Sequence, residues 1–84
     1  MNNAQAREVI FQVLGEIAPE VDPSTVDDTI DLTEQLDLDS MDYLNWMLGI
    51  NAATGIDIPQ RDVSQFLTID GAVGYLVSHS EGQG

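Results

Sequence analysis

Met41, Tyr43, Leu44, Trp46, Met47, Leu48 and Ile50 crowd one ten-residue stretch of a chain only 84 residues long. On a helix these side chains cover far more than one face. A helix that is apolar nearly all round belongs at the centre of a core, or keeps one side for a partner, and a protein this small has room for a mixture of both. The stretch opens on Asp39-Ser40-Met41-Asp42 and closes on Thr54-Gly55. The spacing therefore predicts a helix from Ser40 to about Ala53 with a glycine stop.

The flanking segments follow from the same periodicity. Ile10, Val13, Leu14 and Ile17 recur at helical spacing with Gln12 and Glu16 turned away, which predicts an amphipathic helix over residues 4–17 ended before Pro19. From Glu20 to Asp39 the chain is rich in Asp, Thr and Pro. Twenty residues of pure loop are uncommon in a compact domain. The scattered Val21, Val26, Ile30, Leu32, Leu36 and Leu38 are expected to pin this loop to the core, with a single turn near Leu32 to Leu36. Ile56-Asp57-Ile58-Pro59 reads as an extended connector, with Pro59 opening a short helix through Phe66. Thr68 is placed to cap a last helix whose stripe is Ile69, Ala72, Val73, Leu76 and Val77. The expected architecture is all-α: a small four-helix bundle with a long first loop and a short third helix. Residues 1–80 make one domain, and residues 81–84 a flexible tail.

Composition narrows the function. Fifteen acidic residues face only Arg7 and Arg61, with no lysine, for a formal charge of −13. Nucleic acid is excluded as a partner, because phosphate binding depends on clustered cations. No stretch approaches the ~20 apolar residues of a membrane span, so membrane insertion is not expected. Such a surface repels its own copies and steers basic partners, which predicts a monomer that meets other proteins. With no cysteine the chain has no disulfide, no cysteine zinc site and no thiol of its own, so thioester chemistry needs an added group. That composition fits a cytoplasmic location. A cleft between domains is not expected, since a domain of this size buries only roughly 60–65% of its unfolded surface.

Ser40 is the candidate functional residue. Free backbone N–H groups and the positive end of the dipole make a helix start a good place to hold a phosphate. A serine or aspartate there also serves as a cap, and Asp39 with Asp42 approximates a capping box. An EF-hand is ruled out: counted from Asp37, the third ligand is Met41 and the obligatory glycine is Asp42. His79 near the end of the last helix has no paired nucleophile.

Three blocks then resemble one family in register. Leu36-Asp37-Leu38-Asp39-Ser40-Met41-Asp42-Tyr43-Leu44 looks like the attachment motif of acyl carrier proteins. Ile56-Asp57-Ile58-Pro59 resembles their isoleucine-proline connector, and Thr68 to Leu76 their last helix. The resemblance implies a four-helix bundle and a carrier that is not an enzyme. It implies that Ser40 bears 4′-phosphopantetheine, transferred from coenzyme A by a phosphopantetheinyl transferase. The arm's thiol then holds an acyl group as a thioester for loading and processing enzymes with basic docking surfaces.

The chain also departs from that family. Asp37 with Leu38 replaces the usual glycine before the Asp-Ser pair, Asn45 replaces a glutamate, and Asn51 and Ala52 stand at later acidic positions. Thr54 takes a position often aromatic. Nine of the fifteen acids lie between Glu20 and Asp42. These departures predict a specialised carrier in a fatty-acid, lipid or polyketide pathway, docking through the acidic loop with Asp37, Asp39, Met41, Asp42, Leu44 and Asn45; Met47 is a further docking candidate, and core packing is the alternative role for Leu44 and Met47. The alternatives are a D-alanyl-type aminoacyl carrier and an unmodified acidic helical adaptor. Trp46 is expected in the core; Leu48, Ile50, Phe66, Ala72 and Leu76 are candidates for a space that, by the resemblance, shelters the acyl chain, with plain core packing the alternative for them.

Overall fold

A computed structural model describes residues 1–81, so most of the expected tail lies outside the described residues. The order is α1 (Asn3–Ile17), a 3₁₀ turn (Pro23–Thr25), a single-turn α2 (Leu32–Gln35), α3 (Ser40–Thr54), a 3₁₀ helix (Gln60–Phe66) and α4 (Ile69–Glu81). No strand occurs among the described residues. The expected all-α bundle with a long first loop is what the chain builds.

Local chemistry sets the ends. Asn2 caps α1 through a reciprocal box: its side chain accepts from the Gln5 N–H at 2.8 Å, and its own N–H donates to Gln5 Oε1 at 3.0 Å. Ala18 closes the helix just before Pro19. Gly55 ends α3 in the left-handed region at φ 73°, where glycine adds no Cβ penalty. Thr68 Oγ1 accepts from the Gly71 N–H at 3.0 Å, the predicted cap of α4. The short third helix differs from expectation in type, since Gln60–Phe66 is 3₁₀. Three residues per turn stack Val63 directly above Phe66, so a brief segment can aim both at the core. Phe66 is fully buried and Val63 half-buried.

The long loop is built from a repeated step that the sequence reading did not find. Asp22, Asp27 and Asp31 each accept from both the backbone N–H and the hydroxyl of the residue two places on, Ser24, Thr29 and Thr33, at 2.6–2.9 Å. These hydroxyls, followed by the amides, hold all three carboxyls below the usual carboxylate value. Gln35 ties the turns together, accepting from the Asp27 N–H and donating to the Asp27 and Ile30 carbonyls. Backbone bonds from Leu32 N–H to Leu67 O and from Asp70 N–H to Asp28 O fix the loop to the start of α4. Val26 and Leu32 pin it to the core, with Val21, Leu36 and Leu38 half-buried beside them. Ile30 does not, for it is 43% exposed at the crest of a turn.

The core sits where α1 packs against both α3 and α4. Trp46 is its centre, fully buried, with the indole N–H donating to the Ile10 carbonyl at 3.1 Å. Tyr43, Trp46, Phe66 and Tyr75 follow one another with ring centroids 5.1–6.0 Å apart, in the tilted and edge-on arrangements that aromatic quadrupoles favour. α1 and α3 meet closely at Gly49, where an added Cβ would come within 2.5 Å of Val13 Cγ1. Replacing Gly49 by Ala is expected to lower unfolding stability by about 1–3 kcal/mol in urea titrations. The same change made in a Val13→Ala background costs less, so a double-mutant cycle returns a favourable coupling.

Candidate functional site

The head of α3 resolves which residue caps and which is free. Asp39, in extended conformation, is the N-cap, and its carboxylate accepts from the Asp42 N–H at 2.8 Å. Ser40 is the first helical residue. It is exposed, and its hydroxyl makes no hydrogen bond among the described residues. The backbone N–H groups of Ser40 and Met41 also have no partner among them. The position thus joins a reachable hydroxyl to unspent amide donors and the positive end of a fifteen-residue helix.

The other expected surface residues gather around it. Asp37, Asp39, Met41, Leu44 and Asn45 are exposed and Asp42 is half-buried. Met41 and Leu44 are 62% and 46% exposed. The structure separates the two residues for which core packing was the alternative: Leu44 faces solvent, and Met47, at 8% exposure, belongs to the core. Leu48 is the reverse, 55% exposed where the sequence reading placed it inside.

Four of the five candidates for a sheltering space take the alternative role of plain packing. Ile50, Phe66, Ala72 and Leu76 are fully buried core. An open groove lies instead between α3, the connector with its 3₁₀ helix, and α4, walled by Leu44, Met47, Leu48, Ile58, Val63, Leu67, Tyr75 and His79. Only Leu48 of the five candidates lines it. Sequence reasoning missed Ile58, Val63 and Leu67, whose relation to α3 is set by tertiary packing and leaves no periodic trace. Tyrosines brace the groove's 3₁₀ wall from two sides. The Tyr43 hydroxyl donates to the Val63 carbonyl at 3.2 Å, and the Tyr75 hydroxyl to Asp62 Oδ2 at 2.9 Å. His79 stacks on Tyr75 at 3.8 Å between centroids, with Nδ1 2.8 Å from the Tyr75 carbonyl. No group of three metal-ligating side chains occurs among the described residues. No described helix is long and apolar enough to cross a membrane.

The class that fold and site define is a small helical bundle with an exposed serine, free of the capping bond, at the start of α3. Comparison with known proteins gives that class its family. The family described as "Phosphopantetheine attachment site" matches residues 7–76. The chain is 33% identical over 76 residues to the acyl carrier protein of Rubrobacter xylanophilus, covering 87% of this chain and 94% of that one. It is 32% identical over 72 residues to a mitochondrial acyl carrier protein of Neurospora crassa, covering 86% of this chain and 54% of that one. It is 30% identical over 60 residues to the acyl carrier protein of Lactobacillus acidophilus, covering 71% and 75%. The chain belongs to the acyl carrier protein family, whose members are carriers and not enzymes and bear covalent 4′-phosphopantetheine.

Two measurements follow from the geometry. Asp39→Ala removes the cap and is expected to cost about 0.5–2 kcal/mol of stability. Ser40→Ala removes no bond and is expected to stay within about 0.5 kcal/mol of the parent. Urea denaturation of both variants checks the division of labour. The second concerns alkaline pH. Burial, followed by the charge of Asp31, pushes the Tyr43 phenol up to about 12. Burial, followed by the Asp62 hydrogen bond, also raises Tyr75. Both favour the neutral phenol in the folded state. The Tyr43 contribution is complete below about pH 10, the unfolded tyrosine value, and is lost as pH rises through about 12; that of Tyr75 has the same sign and is likewise lost at alkaline pH. With no Lys or Cys to titrate there, the alkaline fall in thermal stability is expected to be shallower in Tyr43→Phe and shallowest with Tyr75→Phe added.

Proposed function

We propose that Ser40 is the attachment point of 4′-phosphopantetheine, and that the chain shuttles an acyl group as a thioester between enzymes of a specialised fatty-acid, lipid or polyketide pathway. The observation that carries this reading is the freedom of the Ser40 hydroxyl. Asp39 does the capping, so Ser40 is left exposed at the start of α3. A phosphodiester there fits the free Ser40 and Met41 amides and the helix dipole. When attached, the arm supplies the thiol that this cysteine-free chain lacks. The protein supplies position, since tethering raises the effective concentration of cargo at each docked enzyme.

The partners are a phosphopantetheinyl transferase and acyl-loading and acyl-processing enzymes with basic surfaces. They meet Asp37, Asp39 and Asp42 together with Met41, Leu44 and Asn45. The specialised role is supported by Asn45, Asn51 and Ala52, which leave α3 without the acids by which general fatty-acid enzymes dock. A single domain over residues 1–80, acting as a monomer in the cytoplasm, completes the reading.

Intact mass after incubation with coenzyme A and a broad-specificity phosphopantetheinyl transferase tests the attachment. The parent is expected to gain one phosphopantetheine and Ser40→Ala none; no gain in a folded parent, tried with more than one transferase, returns Ser40 to a plain helix residue. Specialisation is tested on the acyl-loaded form with a general fatty-acid ketosynthase, which is expected to elongate it poorly. Elongation as fast as on a general carrier rejects it.

A further inference from the structure

We infer that the groove beside α3 changes from apolar near Ser40 to hydrogen-bonding at its far end, and selects an acyl chain that ends in a hydroxyl; this deepens, and rests on, the assignment of Ser40 above. The order of the walls follows from the fold. Leu44 lies one turn beyond Ser40, and the Tyr43 hydroxyl, donating to the Val63 carbonyl at 3.2 Å, holds Val63 beside the same part of α3. With Met47, Leu48 and Leu67 these side chains make the near end mainly apolar. Asn51 lies about 16 Å farther along the helix axis than Ser40. Its Nδ2 donates to the Ile56 carbonyl at 2.7 Å and stands 3.5 Å from Asp57 Oδ1. The Tyr75 hydroxyl is 2.9 Å from Asp62 Oδ2 and 3.3 Å from the Asp57 carbonyl, and His79 stacks on its ring. Arg61 is near enough to act on the same phenol, against the larger effects of burial and Asp62. Asn51, Asp57, Arg61, Asp62, Tyr75 and His79 therefore gather at one end of the groove.

That end has unspent capacity to donate and to accept. Arg61, one of only two cations in the chain, is exposed and forms no ion pair among the described residues. The Asp57 carboxylate has only the long Asn51 contact among them. His79 Nδ1 is 2.8 Å from the Tyr75 carbonyl, which can only accept, so Nδ1 carries the proton and the neutral ring keeps Nε2 as an acceptor. These groups decide what the far end can hold. A saturated chain reaching them strips water from a guanidinium and a carboxylate and returns no bond. A terminal carboxylate meets Asp57 and Asp62, and a terminal ammonium meets Arg61. A keto oxygen uses Arg61 alone. A hydroxyl accepts from Arg61 while it donates to Asp57 or His79, and brings no charge of its own. The apolar stretch before it calls for several methylenes between the thioester and that hydroxyl.

The test loads the chain from synthetic coenzyme A thioesters with a broad-specificity phosphopantetheinyl transferase, using octanoyl, ω-hydroxyoctanoyl, ω-carboxyheptanoyl and ω-aminooctanoyl groups. Each loaded chain is treated with hydroxylamine, whose nitrogen attacks the thioester carbonyl and releases the arm's thiol, so the rate reads how well the cargo is sheltered. The ω-hydroxyoctanoyl chain is expected to be cleaved about fivefold more slowly than the octanoyl chain, the effect of a net hydrogen bond. A merely apolar groove gives the opposite order. Arg61→Leu is expected to erase the difference while the unloaded variant keeps the parent's circular dichroism and melting, and Asp57→Asn is expected to reduce it. In NMR spectra the Arg61 and His79 side-chain resonances are expected to shift with the hydroxylated cargo and not with octanoyl. Equal cleavage, or slower cleavage of the octanoyl chain, overturns the proposal. Slowest cleavage of the ω-carboxyl or ω-amino chain overturns it in favour of an anionic or a cationic cargo. A hydroxyl advantage that survives Arg61→Leu overturns it as well. If the assignment of Ser40 is itself wrong, the parent takes up no arm from any of the thioesters, and there is no loaded chain to compare.

Discussion

Fifteen carboxylates and two guanidiniums cannot be balanced by ion pairs, and the structure depends on how the chain meets that shortage. One ion pair forms among the described residues, between Arg7 and Asp28. The other carboxylates that carry structure are held by neutral donors close at hand. Ser24, Thr29 and Thr33 serve the loop aspartates, the Asp42 amide serves Asp39, and the Tyr75 hydroxyl serves Asp62. At Asp22, Asp27 and Asp31 such bonds favour the ionised form without asking for a cation. They let an acidic chain fold while its charge stays at the surface.

α3 depends on this arrangement at both ends of its function. Asp39 takes the capping bond at its head, so the residue behind it, Ser40, keeps its hydroxyl. Farther along, Tyr43, Trp46, Met47 and Ile50 are driven inward, and Met41, Leu44 and Leu48 are left facing water. One helix is thus both the centre of the core and the presenting surface. The buried indole that hydrogen-bonds α1 also anchors in the core the helix that Ser40 begins.

Much of this could be read from the residues. Helix spacing placed α1, α3 and α4 to within a residue or so at most ends, and Gly55 and Thr68 were recognisable as stop and cap. The three family-like blocks pointed to Ser40. What could not be read has physical causes. A helix apolar all round has no periodic signal to say which side is buried, so the burial of Met47 and the exposure of Leu48 are decided only by the packing of α3. Asp39 and Ser40 are both good capping residues, and only the geometry shows that aspartate holds the bond. The groove joins Leu44 and Leu48 to Ile58, Val63 and Leu67 across the fold, a juxtaposition that no local pattern encodes.

The walls of that groove have a chemical consequence. A thioester is destroyed most readily by amines and thiols, and tethered cargo meets its own carrier at high effective concentration. The groove offers carboxylates, amides, a guanidinium, hydroxyls and one imidazole, and the whole sequence contains neither lysine nor cysteine. No side-chain amine or thiol of the chain can therefore capture an acyl group intended for another enzyme. The sulfur nucleophile at the site is the one that arrives with the arm.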